Sequence, residues 1–437
     1  MRKIFTLILL SITLYAHSQI LPERDRAQLV DRIMEERFNK LIPDLMYRTG
    51  IDMWVIISRE YNEDPVLKTM LPATWLNARR RTILVFYWNQ VNNKLEKLAV
   101  ARYNVGDNIT SAWDKEEEPD QWNALVKIIE DRNPNKIGIN YSDDYGIADG
   151  IVKTDYEDFM QVLPEAYKSK VVSAEKLAVG WIETRTPMEM QIFSELVGIT
   201  HSIVNEAFSS KVIKPGTTTT DDVVWFLRQK VTDMGLDTWF HPTVDIQRTD
   251  EKLENHIKSF SDAPAEKIIM QGDLLHCDFG ISYLRLNTDC QQHAYVLKTG
   301  ETEAPAYLKE ALAKGNEVQD IFTGNFETGK SGNEIFLKAL DDAKAKGLNP
   351  SIYTHPLGLY GHSAGSTMGM WDSQDGVPGT GDYPLYENTS YAIELNTTVT
   401  IPEWNKDIRI MLEEAGFWGP KGFQYVNGRQ EKLILIN

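Results

Sequence analysis

Cysteine is scarce. Cys277 and Cys290 are the only two in 437 residues, so at most one intrachain disulfide can form. Positive charge is also short: 46 Lys and Arg stand against 63 Asp and Glu, a formal charge of −17 with no basic block. That balance excludes a surface built to bind nucleic acid phosphates. The apolar run Ile4–Tyr15 falls short of the roughly twenty residues that span a bilayer. Histidine is missing between His17 and His201, which argues against a catalytic role for that stretch. Internal repeats and low-complexity segments are absent as well.

The N-terminus reads differently from the rest. Arg2 and Lys3 precede the apolar run, and Ala16-His17-Ser18 puts small residues where signal peptidase inspects the chain. This pattern predicts a cleavable signal peptide over 1–18 and export, to the periplasm or beyond the cell. Its loss removes Arg2 and Lys3, taking the formal charge to −19, and leaves no membrane attachment. No cysteine follows the run to accept a lipid. The chain as a whole, 42% hydrophobic and 25% charged, has ordinary globular composition and is long enough for two or three domains.

Over 24–178 helical and strand-like patterns interleave, which predicts an α/β domain. Leu29, Ile33, Phe38, Leu41 and Leu45 have helical spacing, and a second helical stretch covers Trp122–Glu130. Strand-like runs fall at Met53–Ile57, Ile83–Trp88, Leu98–Tyr103 and Ile137–Tyr141. A boundary is expected near Gly180–Pro187, opening a second domain over 180–437. Thr186-Pro187-Met188-Glu189 has the form of a helix-starting capping box, and another helix is expected after Thr220. Beyond Trp239 the chain reads as β-rich, with an irregular section at Gly361–Asn388.

Six of the eight histidines lie between His241 and His362. Among them, Gly272–Gly280 reads as a strand that turns near Tyr283-Leu284 and returns through Leu286–Val296. A hairpin centred there sets Asp278 opposite Asp289, and like charges opposed across a ladder are destabilising. Such a buried pair needs a proton, a cation or solvent between its members. The same hairpin sets Cys277 opposite Cys290, either as a bridge, which export permits, or as two reduced thiols packed as small hydrophobes. His355 and His362 lie seven residues apart in a Gly-containing loop. Glu394 sits inside an apolar strand-like run, and Glu413-Glu414 ends another.

The order Asp278, Asp289, His355 with Gly358 and His362, Glu394 and Glu413 resembles the creatinase/methionine aminopeptidase-like (M24-type) metallopeptidases. Among these it is most similar to Xaa-Pro aminopeptidases and prolidases, which also carry an α/β N-terminal domain of this size. The resemblance covers nearly the whole mature chain. It implies a creatinase-like α/β N-terminal domain and an α+β "pita-bread" catalytic domain. It also implies two divalent ions bound by Asp278, Asp289, His355, Glu394 and Glu413, with Glu394 carrying protons. Hard carboxylate donors favour Mn²⁺, with Zn²⁺ or Co²⁺ as the other choices. His362 and His256 match the family's substrate-binding histidines, His241 being the competitor for His256. A homodimer and peptides cleaved ahead of proline are the implied partners.

Three positions depart from the family pattern. Leu395-Asn396 replaces Pro-Gly after Glu394, and Ser363 replaces an acidic residue after His362. Met411 stands where the family has arginine if Glu413 is the last ligand, and Glu414 competes for that role. The altered surroundings keep open a hydrolase or lyase acting on a small non-peptide metabolite, and a non-catalytic binding protein on the same scaffold.

Overall fold

The computed structural model describes residues 20–89, 91–249 and 266–437; the expected signal peptide and His256 lie outside them. The first helix, Glu23–Thr49, buries Ile33, Phe38 and Leu45 on one face, as the helical spacing predicts. It packs beside a six-stranded sheet whose two central strands are Arg81–Asn89 and Met53–Arg59. Ile137–Ile139 pairs parallel with the latter. The strand expected at Leu98–Tyr103 instead runs Lys94–Ala99. A tight turn carrying Asn93 at φ 51° pairs Asn89 with Lys94 and so sets the register from its N-terminal end.

Gly180 lies inside the helix Glu175–Glu183, and the chain then turns into Pro187–Ala207. That helix starts as its sequence predicts: the Thr186 hydroxyl accepts from the Glu189 amide, and the Glu189 carboxylate accepts from the Thr186 amide. A second capping box, Thr219 with Asp222, opens Thr220–Asp233. The region beyond Trp239 is less purely β than its sequence suggested. Helices Ala306–Thr323 and Gly332–Ala345 interrupt it, the second opened by a Ser331–Glu334 capping box that the sequence reading passed over.

A nine-stranded sheet carries the chemistry. Its main path runs Pro350–Ile352, Thr389–Ile401, Lys406–Gly419, Cys290–Val296, Leu274–Phe279, Thr243–Gln247. Helices Pro187–Ala207 and Ala306–Thr323 pack on the face bearing Thr288, Ile410 and Leu412: Thr200 and Thr288 share a 2.8 Å hydrogen bond, and Gly315 abuts Ile410 and Leu412. The opposite face is thereby left for a site. Among the described residues no helix is long and apolar enough to cross a membrane.

The two sheets are tied together by buried charge. Arg37 of the first helix reaches both Glu189 oxygens at 2.8 Å, and Arg185 reaches the same carboxylate at 3.2 Å. All three side chains are fully buried. Arg37 also donates to the Trp181 carbonyl and lies 4.3 Å from the Trp181 ring centre. One carboxylate thus pairs with two guanidiniums away from water, and removing one partner of such a group costs far more than an exposed pair would. Glu189→Gln keeps the shape but strands two buried cations. Urea denaturation of that variant is expected to show a loss of about 3–5 kcal/mol; a loss below about 1 kcal/mol, the range of exposed pairs, would refute this account of the junction.

Candidate metal centre

The site is laid out by strand register. Reading across the nine-stranded sheet, Thr243 pairs with Asp278, Asp278 with Gln291, Gln291 with Glu413 and Glu413 with Glu394. Asp289 lies two residues before Gln291, and His355 pairs with Ala392, two before Glu394. Side chains two apart on a strand share a face, so Asp278, Asp289, Gln291, His355, Glu394 and Glu413 all stand on the helix-free face.

The hairpin differs from expectation by one step. Its two-residue turn is Leu284-Arg285, with φ 52° and 67°, the left-handed pair of a type I′ turn. Tyr283 therefore pairs with Leu286, and Asp278 faces Gln291 rather than Asp289. A one-residue move of the turn shifts every partner by two, which preserves the face. The aspartates remain neighbours on the diagonal. The cysteines are corrected likewise: Cys277 faces Gln292, Cys290 faces Phe279, and both are free, buried thiols. Glu413 and Glu414 separate by parity. Glu413 joins the site face, while Glu414 points to the helices and lies 2.7 Å from His201 Nε2.

His355 is the convergence point. Its Nδ1 donates to the Pro356 carbonyl at 2.9 Å, which fixes a proton there and turns Nε2 inward. That nitrogen lies 3.6 Å from Asp289 Oδ2, 3.6 Å from Glu413 Oε1 and 3.9 Å from Glu394 Oε2. His355 Nε2, Glu413 Oε1 and Asp278 Oδ1 are buried with no hydrogen-bond partner among the described residues. Buried polar atoms are rarely left so; His355 Nε2 and Glu413 Oε1 lie 3.6 Å apart, and with Asp278 Oδ1 on the same face they are the donor types of a divalent cation. The electrostatics agree. Burial and then the Glu413 charge raise Asp289 to about 7, and burial with the Asp278 charge raises Glu413 to about 7. Burial and neighbouring carboxylates push Asp278 and Glu394 upward too. Burial disfavours the His355 cation, yet Asp289 and Glu413 outweigh it and raise its pKa.

A cleft of about 1030 Å³ opens beside this centre, walled by Val30 and Trp75 from the first sheet's side and Trp239, Tyr283, Tyr360 and His362 from the other. His362 sets its ring perpendicular to His355, 4.7 Å between centres. It is exposed to the cleft, and the surrounding protein and His355 lower its pKa to about 4. Trp239 supports it at 5.2 Å and is itself fixed by a 2.8 Å bond to the Thr288 carbonyl. Gly361 is required here, since a Cβ would lie 2.4 Å from the Trp239 ring. His241 goes elsewhere: it is exposed, against Trp225 and 3.1 Å from Arg228 Nη1. Residues that sequence reasoning missed are Gln291, His276 and Asp245. Gln291 Nε2 donates to Glu394 and, at 3.0 Å, to Glu413, while its Oε1 lies 2.9 Å from His276 Nε2. Asp245 holds His276 Nδ1 at 3.1 Å. Only the register, which sets Gln291 between Asp278 and Glu413, could have singled them out.

The sequence model of metallopeptidase family M24 matches residues 192–415, a span that holds all five clustered acid and histidine residues. The chain belongs to this family. It is therefore a metal-dependent hydrolase, and its two-domain pita-bread fold is shared along nearly its full length with solved structures. The X-Pro aminopeptidase of Thermotoga maritima matches with TM-score 0.60 at 15% identity, over 89% of this chain and 99% of that one. The Xaa-Pro dipeptidase of Bacillus anthracis matches with TM-score 0.57 at 16% identity, over 95% and 100%. The N-terminal domain of the FACT complex subunit SPT16 from chickpea matches with TM-score 0.53 at 11% identity, over 95% and 99%. By sequence alone, no curated protein matches the chain. At these identities the likeness is one of fold, and chemistry must be argued from the side chains.

The raised carboxylates give the metal-free protein a signed pH response. Asp289 and Glu413 move from 3.8 and 4.5 to about 7, so the fold retains protons that the unfolded chain releases. Stability then falls as pH rises from about 4 to about 7. Denaturation midpoints of chelator-treated protein are expected to drop across that window, and Asp289→Asn to flatten the drop. A midpoint that climbs with pH would contradict this.

Proposed function

We propose that this M24 hydrolase is an exported aminopeptidase that cleaves the N-terminal peptide bond ahead of proline. The carrying observation is the convergence of Asp289, Glu394 and Glu413 on His355, with Asp278 on the same face, next to His362 in the wall of an aromatic cleft. These five residues would hold the divalent metal, and hard oxygen donors favour Mn²⁺. Bound metal supplies Lewis acidity, acidifying a water and polarising the scissile carbonyl. Export rests on the pattern of residues 1–18.

The chain's own groups suit the remaining tasks. Glu394 accepts from Gln291 through Oε1, which leaves Oε2 facing His355, placed to take a proton and return it to the leaving amine. His362, reaching into the cleft beside His355, is placed to donate to the developing oxyanion; His256 is the second candidate for that part. Trp239 and Tyr360 offer apolar walls to a pyrrolidine ring.

A second reading keeps the centre and changes the substrate to a small non-peptide metabolite. It is favoured by Leu395-Asn396 after Glu394 and by Ser363, whose buried hydroxyl has no hydrogen-bond partner among the described residues. Assaying chelated and Mn²⁺-reloaded protein against Xaa-Pro peptides, their Xaa-Ala counterparts and small amides separates the two. The peptide reading expects activity restored by metal and highest on Xaa-Pro. His362→Ala is expected to lower kcat about 10²–10³-fold with little change in KM. Full activity in the chelated protein, or turnover of small amides alone, would defeat it.

A further inference from the structure

The cleft beside the metal centre is a cationic spot in an acidic protein. The chain carries a formal charge of −17, yet Arg26, Lys68 and Arg285 line the cleft against Glu23 and Asp237. Arg26 and Glu23 pair with each other at 3.1 Å, and Arg26 also donates to the carbonyls of Leu21 and Gly235. Lys68 and Asp237 are exposed to solvent. Arg285 is the cation left to account for.

Arg285 stands in the two-residue turn of the hairpin that carries Asp278 and Asp289, at φ 67°, where Asn or Gly would sit with less strain. Its guanidinium has several N–H donors in a planar fork. Among the described residues it engages one partner, the Thr69 carbonyl, to which Nη1 donates at 3.0 Å. No described carboxylate forms an ion pair with it. Asp31 acts on it only through space and is itself turned to the Ala73 amide at 2.8 Å. Burial disfavours the Arg285 charge, and Asp31 and Tyr360 do not make up the difference. A half-buried cation with donors to spare calls for a partner.

Its position suits a substrate group. Arg285 lies four residues from Asp289 along the hairpin, roughly 13 Å of extended chain, and shares the cleft with Tyr360 and His362. An extended peptide advances roughly 3.3–3.6 Å per residue. A peptide cleaved at the metal centre therefore brings the group about two to four residues beyond its scissile bond to the guanidinium. A carboxylate is the partner that such a fork of donors pairs with most strongly.

We propose that Arg285 is the carboxylate-binding residue of the cleft, selecting peptides that present a carboxylate about two to four residues after the cleaved bond. This rests on the peptide reading above but not on which metal is bound. The carboxylate has two sources, the free C-terminus of a short peptide or an acidic side chain within a longer one.

The test is steady-state kinetics of the full-length, Mn²⁺-loaded protein on Ala-Pro peptides extended by one to three alanines. Each is compared as free acid, as C-terminal amide, and as an amide ending in glutamate. At least one free acid is expected to exceed its amide by about 10–100-fold in kcat/KM, chiefly through KM. Arg285→Asn, which suits the positive φ of the turn, is expected to reduce that preference about tenfold or more, and Arg285→Lys to keep part of it. Glutamate amides that match the free acids would name the side chain as a source, and glutamate amides that match plain amides would name the C-terminus; both support the subsite. Acid and amide cleaved alike by the unaltered protein, or an acid preference that survives in Arg285→Asn, would overturn the proposal and leave the peptide reading in place. Arg285 would then only tie the hairpin to the Thr69 carbonyl. No cleavage of any of these peptides would remove both.

Discussion

Four carboxylates on one face of one sheet repel each other, and the architecture of the second domain is arranged around that repulsion. Asp289, Glu394 and Glu413 are brought within 3.9 Å of His355 Nε2, and Asp278 onto the same face, by strand pairing, not by flexible loops. Pairing of the long strands Thr389–Ile401 and Lys406–Gly419 along thirteen residue pairs leaves the glutamates no room to move apart. Without a cation the relief must come from protons, which is why burial and mutual charge push all four pKa values up. Strain that the fold will not relax is stabilisation that a divalent ion can collect.

Among the described residues the N-terminal α/β part contributes no charged group to that cluster, yet the cleft depends on it. Val30 and Trp75 line the side that the catalytic sheet cannot reach. Its placement is over-determined: Glu189 with Arg37 and Arg185, the Tyr360 hydroxyl on the Pro65 carbonyl at 2.9 Å, and the Tyr145 hydroxyl on the Gly365 carbonyl at 2.8 Å. The last two contacts bracket the segment carrying His362, so domain placement and placement of that imidazole are one problem. A substrate in the cleft would touch both domains, so its length and shape are read by surfaces distant from the metal.

How much of this was legible in the sequence follows from which signals are local. Capping boxes are local, and Thr186 with Glu189 announced its helix. The face shared by Asp278 and Asp289 was legible because parity survives a misplaced turn. The turn itself was not, because Leu284 and Arg285 adopt positive φ without the Asn or Gly that normally marks a type I′ turn. Gln291 was invisible for a different reason. Its partners are Glu394 and Glu413, more than a hundred residues away, and only sheet order brings them together. Met411 made the choice of Glu413 contestable in the sequence. In the sheet, Glu413 opposite Glu394 takes the place on the site face.

A comparison within the same sheet shows why side-chain clustering alone is not a metal centre. His201, Cys290 and Glu414 converge on the helix-covered face as closely as Asp289, His355 and Glu413 do on the other. Counting hydrogen bonds separates the two groups. Glu414 Oε1 accepts from Gln292 at 3.1 Å and from the Gln430 amide at 3.0 Å, and its Oε2 meets His201 at 2.7 Å. Every oxygen there is satisfied, and the His201 pKa is raised because the ion pair with Glu414 outweighs burial. That cluster is a buried ion pair joining the helix Pro187–Ala207 to the sheet. On the opposite face the equivalent atoms of His355 and Glu413 have no hydrogen-bond partner among the described residues. The sequence supplies a similar set of side chains to both faces; what makes one of them a candidate for chemistry is the hydrogen bonding withheld from it.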